Sequence, residues 1–488
     1  MTPRRWASTM APWTRRALLG AFRVGERIHV PLIVLYVAIN GIVLINALLH
    51  YPTVGYDAFA HLDYLRGLAQ GRLPGPKETT EYFSPPLAYV VPALFDAVGL
   101  PLRFVAKFSQ LLNVVWSLLL TLGLLRLCDL IRPGSRLLKP AALGLLGMLP
   151  VYYKTFAFIR PEPLLACLAV WAAYGTVKLF ALGHVALPAA ARLGLILGLL
   201  LLTRQQAVLW LAGTVLVASL MLWRTSADRY RLATASLLVL VITLAVGGWF
   251  YLHLHRAYGS PAAFNRAPLP LSLANHPSSF YLGLGGGALF RDPVRPSFRR
   301  EVWPKLYAET WGDHECYFLV FGRDTRNGIF AMGNLLEKAL SAGVPPWMET
   351  NRYRINGYLG RVNLVSLAPS ALLVAGLVAG LVSMTRVAAR PSGPGPDRAR
   401  AVLALLAVVS ILGYLTLLVR YPTDTGDTVK ATYLIHVLPL LAVLAADLLE
   451  RLYRRAPGSG RVVMILLAAV AAHNAGTFLT RYGVLPYW

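Results

Sequence analysis

Long apolar segments alternate with short polar segments along most of the chain. The first apolar run, residues 31–49, is close to the length of about 20 residues that a helix needs to cross a bilayer. Runs near this length recur and predict an all-α polytopic integral membrane protein with about eleven transmembrane helices. The later spans are expected at 104–127, 140–156, 163–180, 187–202, 207–223, 232–252, 362–384, 401–419, 432–449 and 462–478.

The apolar run at 85–100 is an exception to this interpretation. It is shorter than a full span and contains Pro85, Pro86 and Pro92. If it crossed the membrane, the next span would leave Arg132 in an outer loop, which conflicts with the usual retention of basic residues on the cytoplasmic side. We therefore expect a juxtamembrane helix that lies on the outer surface.

The positions of basic residues set the orientation of the predicted spans. Arginines are frequent before the first span, which predicts a cytoplasmic N-terminus, and the run is long for a signal peptide and lacks a clear cleavage site. The predicted segments are a cytoplasmic N-terminus at 1–30, the first transmembrane helix at 31–49, an external loop with juxtamembrane helices at 50–101, transmembrane helices two to seven at 102–252, a large external loop at 253–361, transmembrane helices eight to eleven at 362–480 and an external C-terminus at 481–488. Both large loops are therefore expected on the same side.

The composition agrees with a membrane protein, since 56% of the residues are hydrophobic and 14% are charged. The net charge of +25 would suggest a nucleic-acid partner in a soluble protein. Here the arginines cluster between apolar runs, which is typical of membrane topology and predicts no nucleic-acid partner. The three cysteines lack metal-site spacing, and the absence of a GxxxxGK[ST] sequence makes ATP an unexpected energy source.

Asp57 and His61 stand where the first span emerges on the outer side. If residues 58–69 form a helix, Phe59 and Leu65 share an apolar stripe that rests on lipid, and the two polar residues lie on a neighbouring face. Ionisable groups near the membrane boundary are costly unless they are paired or used. The residues alone leave open a solvated loop acid and a functional carboxylate.

Two stretches of the first loop resemble a known superfamily. The sequence "GYDAFAHLDYLRGLAQGRLP", followed by "YFSPPLAYVVPAL", is similar to the polyprenyl-phosphate-sugar-dependent glycosyltransferases of the GT-C fold, which include the protein O-mannosyltransferases and lipid A aminoarabinose transferases. "FIRPEPLLACLAVW" resembles their acidic residue at the start of an early span, and "KATYLIHVLPLLAVLAA" resembles their "RYLLPxLPxLALLAA" segment. The chain departs from the pattern at Ala58, where many relatives have Glu, and at Thr432, where Arg is common.

This resemblance implies a GT-C fold and sugar transfer from a polyprenyl-phosphate donor to a lipid, glycan or protein acceptor, outside the cytoplasm. Asp57 would be the general base that takes the proton of the acceptor hydroxyl, with inversion at the anomeric carbon. A partly desolvated carboxylate there would have a raised pKa unless a tight ion pair cancels the effect. Glu81 is the expected helper carboxylate, and His61 is expected to contact the acceptor or the sugar.

Cations at the outer ends of the spans are candidates for binding the donor phosphate. Arginine binds phosphate through two parallel hydrogen bonds, which favours Arg204 and Arg420, with Arg160 next and then Lys430 and Lys154. Each of them has an alternative role as a residue that contacts lipid headgroups. Glu162 could equally form a salt bridge with Arg160.

The sequence "ETWGDHECYF" in the second loop contains residue types that bind metals or sugars. Asp313 and Glu315 are hard-metal ligand types, and some relatives use a divalent metal ion, but consecutive residues rarely face one ion. In preference to a metal site, we expect either a loop that packs on Trp311 and Tyr317 or contacts of Asp313, Glu315 and Trp311 with sugar or acceptor. No cofactor is required by the residues themselves.

Two other classes of function remain open at this stage. A transporter or flippase of a lipid-linked or anionic solute would be favoured by an inverted repeat and by charges in mid-span, neither of which is evident. A ligase or polymerase of lipid-linked glycans would share the topology and the external arginines. The composition fits a bacterial inner membrane, and the residues identify neither the sugar nor the oligomeric state.

Overall fold

The computed structural model describes residues 20–24, 27–224, 229–320, 346–389, 395–423 and 426–481. Most of the predicted N-terminal arginine cluster and residues 482–488 lie outside these ranges. The described part is helical apart from a two-stranded antiparallel sheet that pairs β1, Arg23–Val24, with β2, Arg27–Ile28.

The helices are numbered in chain order. They are α1 Val30–Leu49, α2 Ala58–Ala69, α3 Leu87–Ala97, α4 Leu102–Ile131, α5 Leu138–Gly147, α6 Pro150–Ala157, α7 Glu162–Thr176, α8 Leu187–Leu201, α9 Val208–Arg224, α10 Arg229–Tyr258, α11 Ser278–Leu282, α12 Ala288–Arg291, α13 Val302–Trp311, α14 Pro346–Val365, α15 Leu367–Ala389, α16 Gly395–Arg420, α17 Leu438–Arg455 and α18 Pro457–Asn474. Shorter turns of 3₁₀ helix precede α9 and α17, at Gln205–Ala207 and Ala431–Leu434.

Eight helices in the described ranges are long and apolar enough to cross a membrane, and three shorter apolar helices accompany them. The prediction of an all-α integral membrane protein is therefore confirmed, whereas the number of spans is not fixed by this finding. The expected juxtamembrane helix is α3, which is one of the short ones.

The predicted span at 140–156 is not a single helix. It divides into α5 and α6, and Pro150 occupies the first turn of α6. Proline cannot donate the backbone hydrogen bond that would continue a helix across this point. The predicted span at 432–449 likewise begins as a 3₁₀ turn, and its α-helix starts only at Leu438.

Small residues let several helices approach closely. A Cβ atom at Gly198 of α8 would lie 2.6 Å from the Val246 side chain of α10, and one at Gly247 would lie 2.7 Å from the Gly198 carbonyl oxygen. Close backbone approach of this kind is typical of helix pairs in membranes. Much of the buried apolar surface forms one cluster that runs through the spans.

Ion pairs join three distant parts of the chain at one end of the bundle. The buried Asp447 of α17 accepts hydrogen bonds from Arg132 and Arg400 and pairs with Arg451. Arg132 directly follows α4, and Arg400 lies near the start of α16. Both arginines belong to segments predicted from the sequence to be cytoplasmic, and their side of the membrane remains a prediction.

The first helix is joined to the last described residues by polar contacts. The Asn46 amide of α1 donates to the Phe478 carbonyl at 2.7 Å and accepts from the Thr480 backbone N–H at 2.8 Å. The His50 ring lies 2.7 Å from the Thr480 hydroxyl. These contacts hold the end of α1 against the segment that follows α18.

The two predicted external loops contact each other at the opposite end of the bundle from Asp447. Tyr56 donates to the Glu309 carboxylate, and Tyr82 donates to the Phe264 carbonyl at 2.8 Å. The Phe83 and Phe264 rings pack with centroids 4.3 Å apart. The loops thus form a joint cover over the ends of the helices.

Candidate active site

A cavity of about 720 Å³ lies between the two loops and the ends of the helices. Its walls come from the segment before α2, the segment before α3, the turn before α9, the second loop, the last turns of α16 and the segment before α17. The cavity is large enough for a small-molecule substrate. Of the predicted site residues, it brings together Asp57, Glu81, Arg204, Glu315, Arg420 and Lys430.

Asp57 immediately precedes α2 and holds a left-handed backbone conformation, with φ 55° and ψ 25°. Gly55 lets the chain turn into this position, since a Cβ atom there would lie 3.1 Å from the Phe158 ring. Asp57 makes no side-chain cap for α2, so its carboxylate is available to the cavity. A strained conformation of a residue at a cavity wall is common at functional sites.

Lys430 forms an ion pair with Asp57, with 2.7 Å between Nζ and Oδ2. The ammonium group also lies 4.9 Å from the Tyr56 ring centroid and 5.7 Å from that of Tyr433. The Lys430 side chain is 10% exposed, whereas that of Asp57 is 41% exposed. The lysine is therefore held within the wall, and the carboxylate faces the cavity.

The ion pair changes the expected titration of Asp57. Burial raises the pKa of the carboxyl, but the charge of Lys430 and its hydrogen bond together lower it by more, so the net pKa lies below the usual range. From the sequence, a raised pKa is expected unless a tight ion pair cancels the effect, and the pair with Lys430 is such an ion pair. Burial lowers the pKa of the Lys430 ammonium, and Asp57 and Tyr433 raise it to a net value above its usual range.

Arg160 and Arg204 form a buried network with two carboxylates. Arg160 makes two hydrogen bonds to Glu162, at 2.6 and 2.7 Å, and Arg204 reaches the same carboxylate at 3.0 Å. Arg204 also donates to Glu81 and to the Ser84 hydroxyl, both at 2.7 Å. The predicted salt bridge between Arg160 and Glu162 is thus present, and the formal charges of the four ionised groups cancel.

A second group of charges at the cavity contains Arg295, Glu315 and Asp427, with Lys305 behind Glu315. Glu315 forms ion pairs with Lys305 and, at 2.5 Å, with Arg295, which lies 3.5 Å from Asp427. Burial raises the pKa of Glu315, but the charges of Lys305, His314 and Arg295 lower it by a larger amount, so that the net pKa is about 2. The group is therefore ionised at neutral pH and has its charge balanced within the wall.

Arg420 and Arg266 line the cavity without a carboxylate partner among the described residues. Arg420 donates from Nε to the Leu269 carbonyl at 3.2 Å, which leaves its terminal nitrogens directed elsewhere. Backbone pairing between Leu269 and Arg420, at 2.9 Å, holds the segment of Arg266 beside the end of α16. Within the described chain, these guanidinium groups are the cavity cations that carry an unbalanced charge.

Five of the predicted site residues do not line the cavity, namely Arg160, which belongs to the network described above, and Lys154, Trp311, Asp313 and His61. Lys154 is buried and pairs with the Glu309 carboxylate, and Trp311 donates to the Ser370 hydroxyl at 2.8 Å. Asp313 accepts backbone N–H groups from four residues between Tyr317 and Val320, which fixes the turn after α13.

His61 lies on the face of α2 that packs against α3, where its ring nitrogen is 2.7 Å from the Tyr89 hydroxyl. Burial lowers the pKa of this histidine to about 4. The predicted polar face of α2 is therefore covered by α3. The apolar Phe59 of α2, in contrast, is exposed and lines the cavity.

No group of three or more His, Cys, Asp and Glu side chains suited to a metal ion occurs in the described ranges. The carboxylates at the cavity are each paired with a lysine or an arginine, which satisfies their charge without a metal. The residues present therefore do not form a ready-made divalent site.

Several residues of the site were not predicted from the sequence. Arg295 and Arg266 lie in the second loop, where no sequence motif surrounds them. Tyr433 belongs to the family-like segment before α17, but the sequence assigns it no separate role. Tyr433 lies between the cations, since its ring centroid is 5.6 Å from Arg160 and 5.7 Å from Arg204. Its position one residue after Thr432 is the one signal that could have indicated it.

The geometry combines a cavity-facing carboxylate, adjacent cations and apolar walls. The carboxylate can accept a proton from a hydroxyl group, and the cations can stabilise an anionic leaving group. Val208, Leu209 and Leu417 provide an apolar side to the same cavity. The site can therefore hold a molecule that is anionic at one point and apolar at another.

Comparisons with known proteins give matches among solved structures only. No protein-family model matches the chain, and no curated protein matches it. ArnT from Cupriavidus metallidurans in the apo state matches 92% of this chain over 75% of its own length, with a TM-score of 0.48 and 14% identity. The same protein bound to undecaprenyl phosphate matches 87% of this chain over 79% of its length, with a TM-score of 0.40 and 18% identity.

The oligosaccharyltransferase of Archaeoglobus fulgidus in the apo form matches 92% of this chain, with a TM-score of 0.47 and 14% identity. The matched region is 56% of the length of the archaeal enzyme. ArnT is a lipid A aminoarabinose transferase, and both proteins are members of the GT-C superfamily.

Proposed function

We propose that the chain is a membrane glycosyltransferase that moves a sugar from a polyprenyl-phosphate donor to an acceptor hydroxyl. The observation that carries this proposal is the Asp57 carboxylate, which faces a large cavity and is paired to Lys430 among further cations. The reaction requires a base and a cationic site for the departing phosphate. The cavity walls offer both.

Asp57 is the proposed general base. The acceptor oxygen forms a bond to the anomeric carbon, the bond from that carbon to the phosphate oxygen breaks, and the proton of the acceptor passes to Asp57. The lipid monophosphate leaves with the bonding electron pair. Attack opposite the leaving group inverts the configuration of the sugar carbon.

Lys430 has two roles in this proposal. It neutralises Asp57 in the resting site, and it lies in the wall between Tyr56 and Tyr433, where a lipid phosphate would compete for its charge. When Lys430 forms an ion pair with the phosphate, Asp57 loses its own ion pair. The pKa of the Asp57 carboxyl then rises towards the range useful for a base. Donor binding would thereby activate the base.

The donor phosphate is proposed to contact Lys430 and Arg420, with Arg266 beside them. The charges of Arg160 and Arg204 are balanced by Glu162 and Glu81. These arginines therefore hold Tyr433 and the cavity wall in place and attract the donor phosphate less strongly than Arg420 does. Glu81 acts as a positioning carboxylate in this arrangement. Lys154 supports the fold through Glu309.

The acceptor is proposed to approach along the part of the wall that contains Glu315. Its hydroxyl group belongs to a lipid, a glycan or a protein. The active site is proposed to face outwards from a bacterial inner membrane, with both loops external and the N-terminus cytoplasmic. No step is assigned to a divalent ion.

The test is sugar transfer or donor hydrolysis by the purified protein with a panel of polyprenyl-monophosphate sugars. Turnover of at least one donor is expected for the wild type and for Asp63→Asn, which removes an exposed carboxylate from the same helix. Asp57→Asn is expected to abolish it while remaining folded. Absence of turnover with the whole panel, or equal turnover in Asp57→Asn, would count against the proposal, and transport of a donor without transfer would favour a flippase.

A further inference from the structure

Several leucine side chains are exposed in one short stretch of the second loop, residues 269–284. Leu271, Leu273, Leu282 and Leu284 are each between 67% and 76% exposed, and Leu269 is exposed as well. Single exposed apolar residues are common on protein surfaces, but a concentration of them indicates a contact surface. We call residues 269–284 the leucine segment.

The leucine segment is held against the last two turns of α16. The Asn275 side-chain amide donates to the Val419 carbonyl at 2.8 Å. The Phe280 ring packs in one cluster with Tyr414 and Leu418. Each residue of an α-helix rises 1.5 Å along its axis, so these contacts fix the segment beside roughly the last 9 Å of α16.

This part of α16 lies at the edge of its apolar run. The run covers residues 401–419 and is close to the length of about 20 residues that crosses a bilayer. Leu412 is 57% exposed on the same helix, two residues before Tyr414, so the lipid-facing surface of α16 reaches the level of the leucine segment. The exposed leucines therefore continue a surface that already faces lipid.

The charges around the leucine segment also suit a lipid surface. Residues 253–291 contain no Asp or Glu, but they include the exposed Arg256, Arg266 and Arg291. Arginines attract the phosphates of lipid headgroups, whereas carboxylates would be repelled by them. A loop that faces only water has no reason to exclude acidic residues over this length.

An aromatic pair borders the leucine segment. The half-exposed Trp303 donates its indole N–H to the Tyr281 carbonyl at 2.8 Å. Tryptophan and tyrosine are enriched where a membrane meets water, because their rings are apolar and their N–H or O–H groups are polar. The combination of exposed leucines, arginines and these rings is typical of a segment in the interface of a bilayer.

The sequence "GLGGG" turns the backbone after α11. Gly285 has φ +71°, and its N–H donates to the Glu301 carboxylate at 2.8 Å. A Cβ atom at Gly283 would lie 2.3 Å from the same carboxylate. Glycine at both positions lets the nearby acid bond to the backbone of the turn, while Leu282 and Leu284 remain exposed on either side of Gly283.

We infer that the leucine segment contacts the lipid bilayer at the cavity end of the bundle, with its leucines at the boundary between headgroups and acyl chains. Part of a loop that was expected to be wholly external thus lies in the membrane interface. The contact fastens the second loop, and the cavity wall that it contributes, to the membrane. The inference is independent of the reaction that the cavity performs.

The experiment places single nitroxide labels on the full chain in nanodiscs of phosphatidylethanolamine and phosphatidylglycerol. Leu273→Cys and Leu284→Cys report on the leucine segment, Leu412→Cys is the lipid reference, and Lys77→Cys, in the exposed part of the first loop, is the water reference. The native cysteines of the chain are buried, so the wild type measures background labelling.

The measurement is the accessibility of each label to oxygen, which dissolves in lipid, and to a nickel chelate, which stays in water. We expect the ratio of oxygen to nickel accessibility at 273 and 284 to be on the order of tenfold higher than at 77 and to approach that at 412, as for a site in the membrane interface. Leu271→Cys and Leu282→Cys test the same segment where a label at the first two positions lowers the thermal unfolding midpoint.

Two results would overturn the inference. A ratio like that at 77 would show that the leucine segment lies in water. Low accessibility to both reagents would show that protein covers the leucines, either a second copy or another part of this chain.

Discussion

Replacing Asp57 with asparagine distinguishes the role of the general base from that of the cations proposed to bind the phosphate. The substitution removes the proton acceptor but retains a side-chain oxygen that can accept a hydrogen bond from Lys430. In the wild type, the Lys430 Nζ atom lies 2.7 Å from Asp57 Oδ2. A positioned general base contributes about 10²-fold to 10⁴-fold to a rate. We expect sugar transfer to fall by at least about a hundredfold.

The same change should strengthen binding of the donor phosphate. In the wild type, the positive charge of Lys430 is shared with a carboxylate, and in Asp57→Asn it is available to the ligand. Asp57 is 41% exposed, so solvent screens the pair and the cost to folding should be only about 1 kcal/mol. We expect affinity for a polyprenyl monophosphate to rise several-fold, up to about tenfold.

The assay combines single-turnover transfer with equilibrium binding of a polyprenyl monophosphate on the same preparations, and Asp63→Asn is the matched control. Transfer should fall and binding should tighten in Asp57→Asn only. Retention of more than about a tenth of the wild-type rate would refute Asp57 as the base. Weaker phosphate binding would refute the role of Lys430 as a cation shared between the base and the donor.

Three further predictions follow from the same contacts. In Lys430→Met, Asp57 loses the partner that keeps its pKa low, so the acidic limb of the kcat/KM profile should move to higher pH, and an unmoved limb would contradict this. Arg204→Met leaves the buried Glu81 without its cation, while Glu162 keeps Arg160, and should destabilise the protein by about 3–5 kcal/mol in thermal unfolding, more than Arg204→Lys does; equal midpoints would refute the network. Gly426→Ala should lower both the unfolding midpoint and transfer, because a Cβ atom would lie 1.9 Å from a backbone oxygen in a residue with φ +68°, whereas the control Gly71→Ala, with φ +77° and open space, carries only the conformational cost.

The local pattern of the sequence predicts those features that depend on neighbouring residues. Helix α2 begins and ends at the expected residues, Ala58 and Ala69, because its apolar spacing and the glycines on either side, Gly55 and Gly71, act locally. The pairing of Arg160 with Glu162 is likewise local. Asp57 comes soon after the end of α1 at Leu49, so its place at this end of the bundle also depends on nearby residues.

Features that depend on distant contacts are not visible in the sequence. The partner of Asp57 is Lys430, which is separated from it by most of the chain, so its lowered pKa could not be deduced. Lys154 points into the fold because Glu309 of the second loop receives it. His61 is buried because α3 covers α2, and amphipathic spacing alone does not reveal which face another helix will cover.

The closure between α1 and the last described residues has a consequence for biosynthesis. Asn46 and His50 enter the membrane with the first helix, but their partners at Phe478 and Thr480 are translated hundreds of residues later. Until then, the Asn46 amide must find temporary partners, such as water, headgroups or an insertion factor, because the bilayer interior offers none, whereas the His50 ring also contacts the nearby Val54 carbonyl at 3.0 Å. The first helix can therefore reach its final environment only after residues 478–480 have been synthesised, so its docking follows the synthesis of all the helices between them.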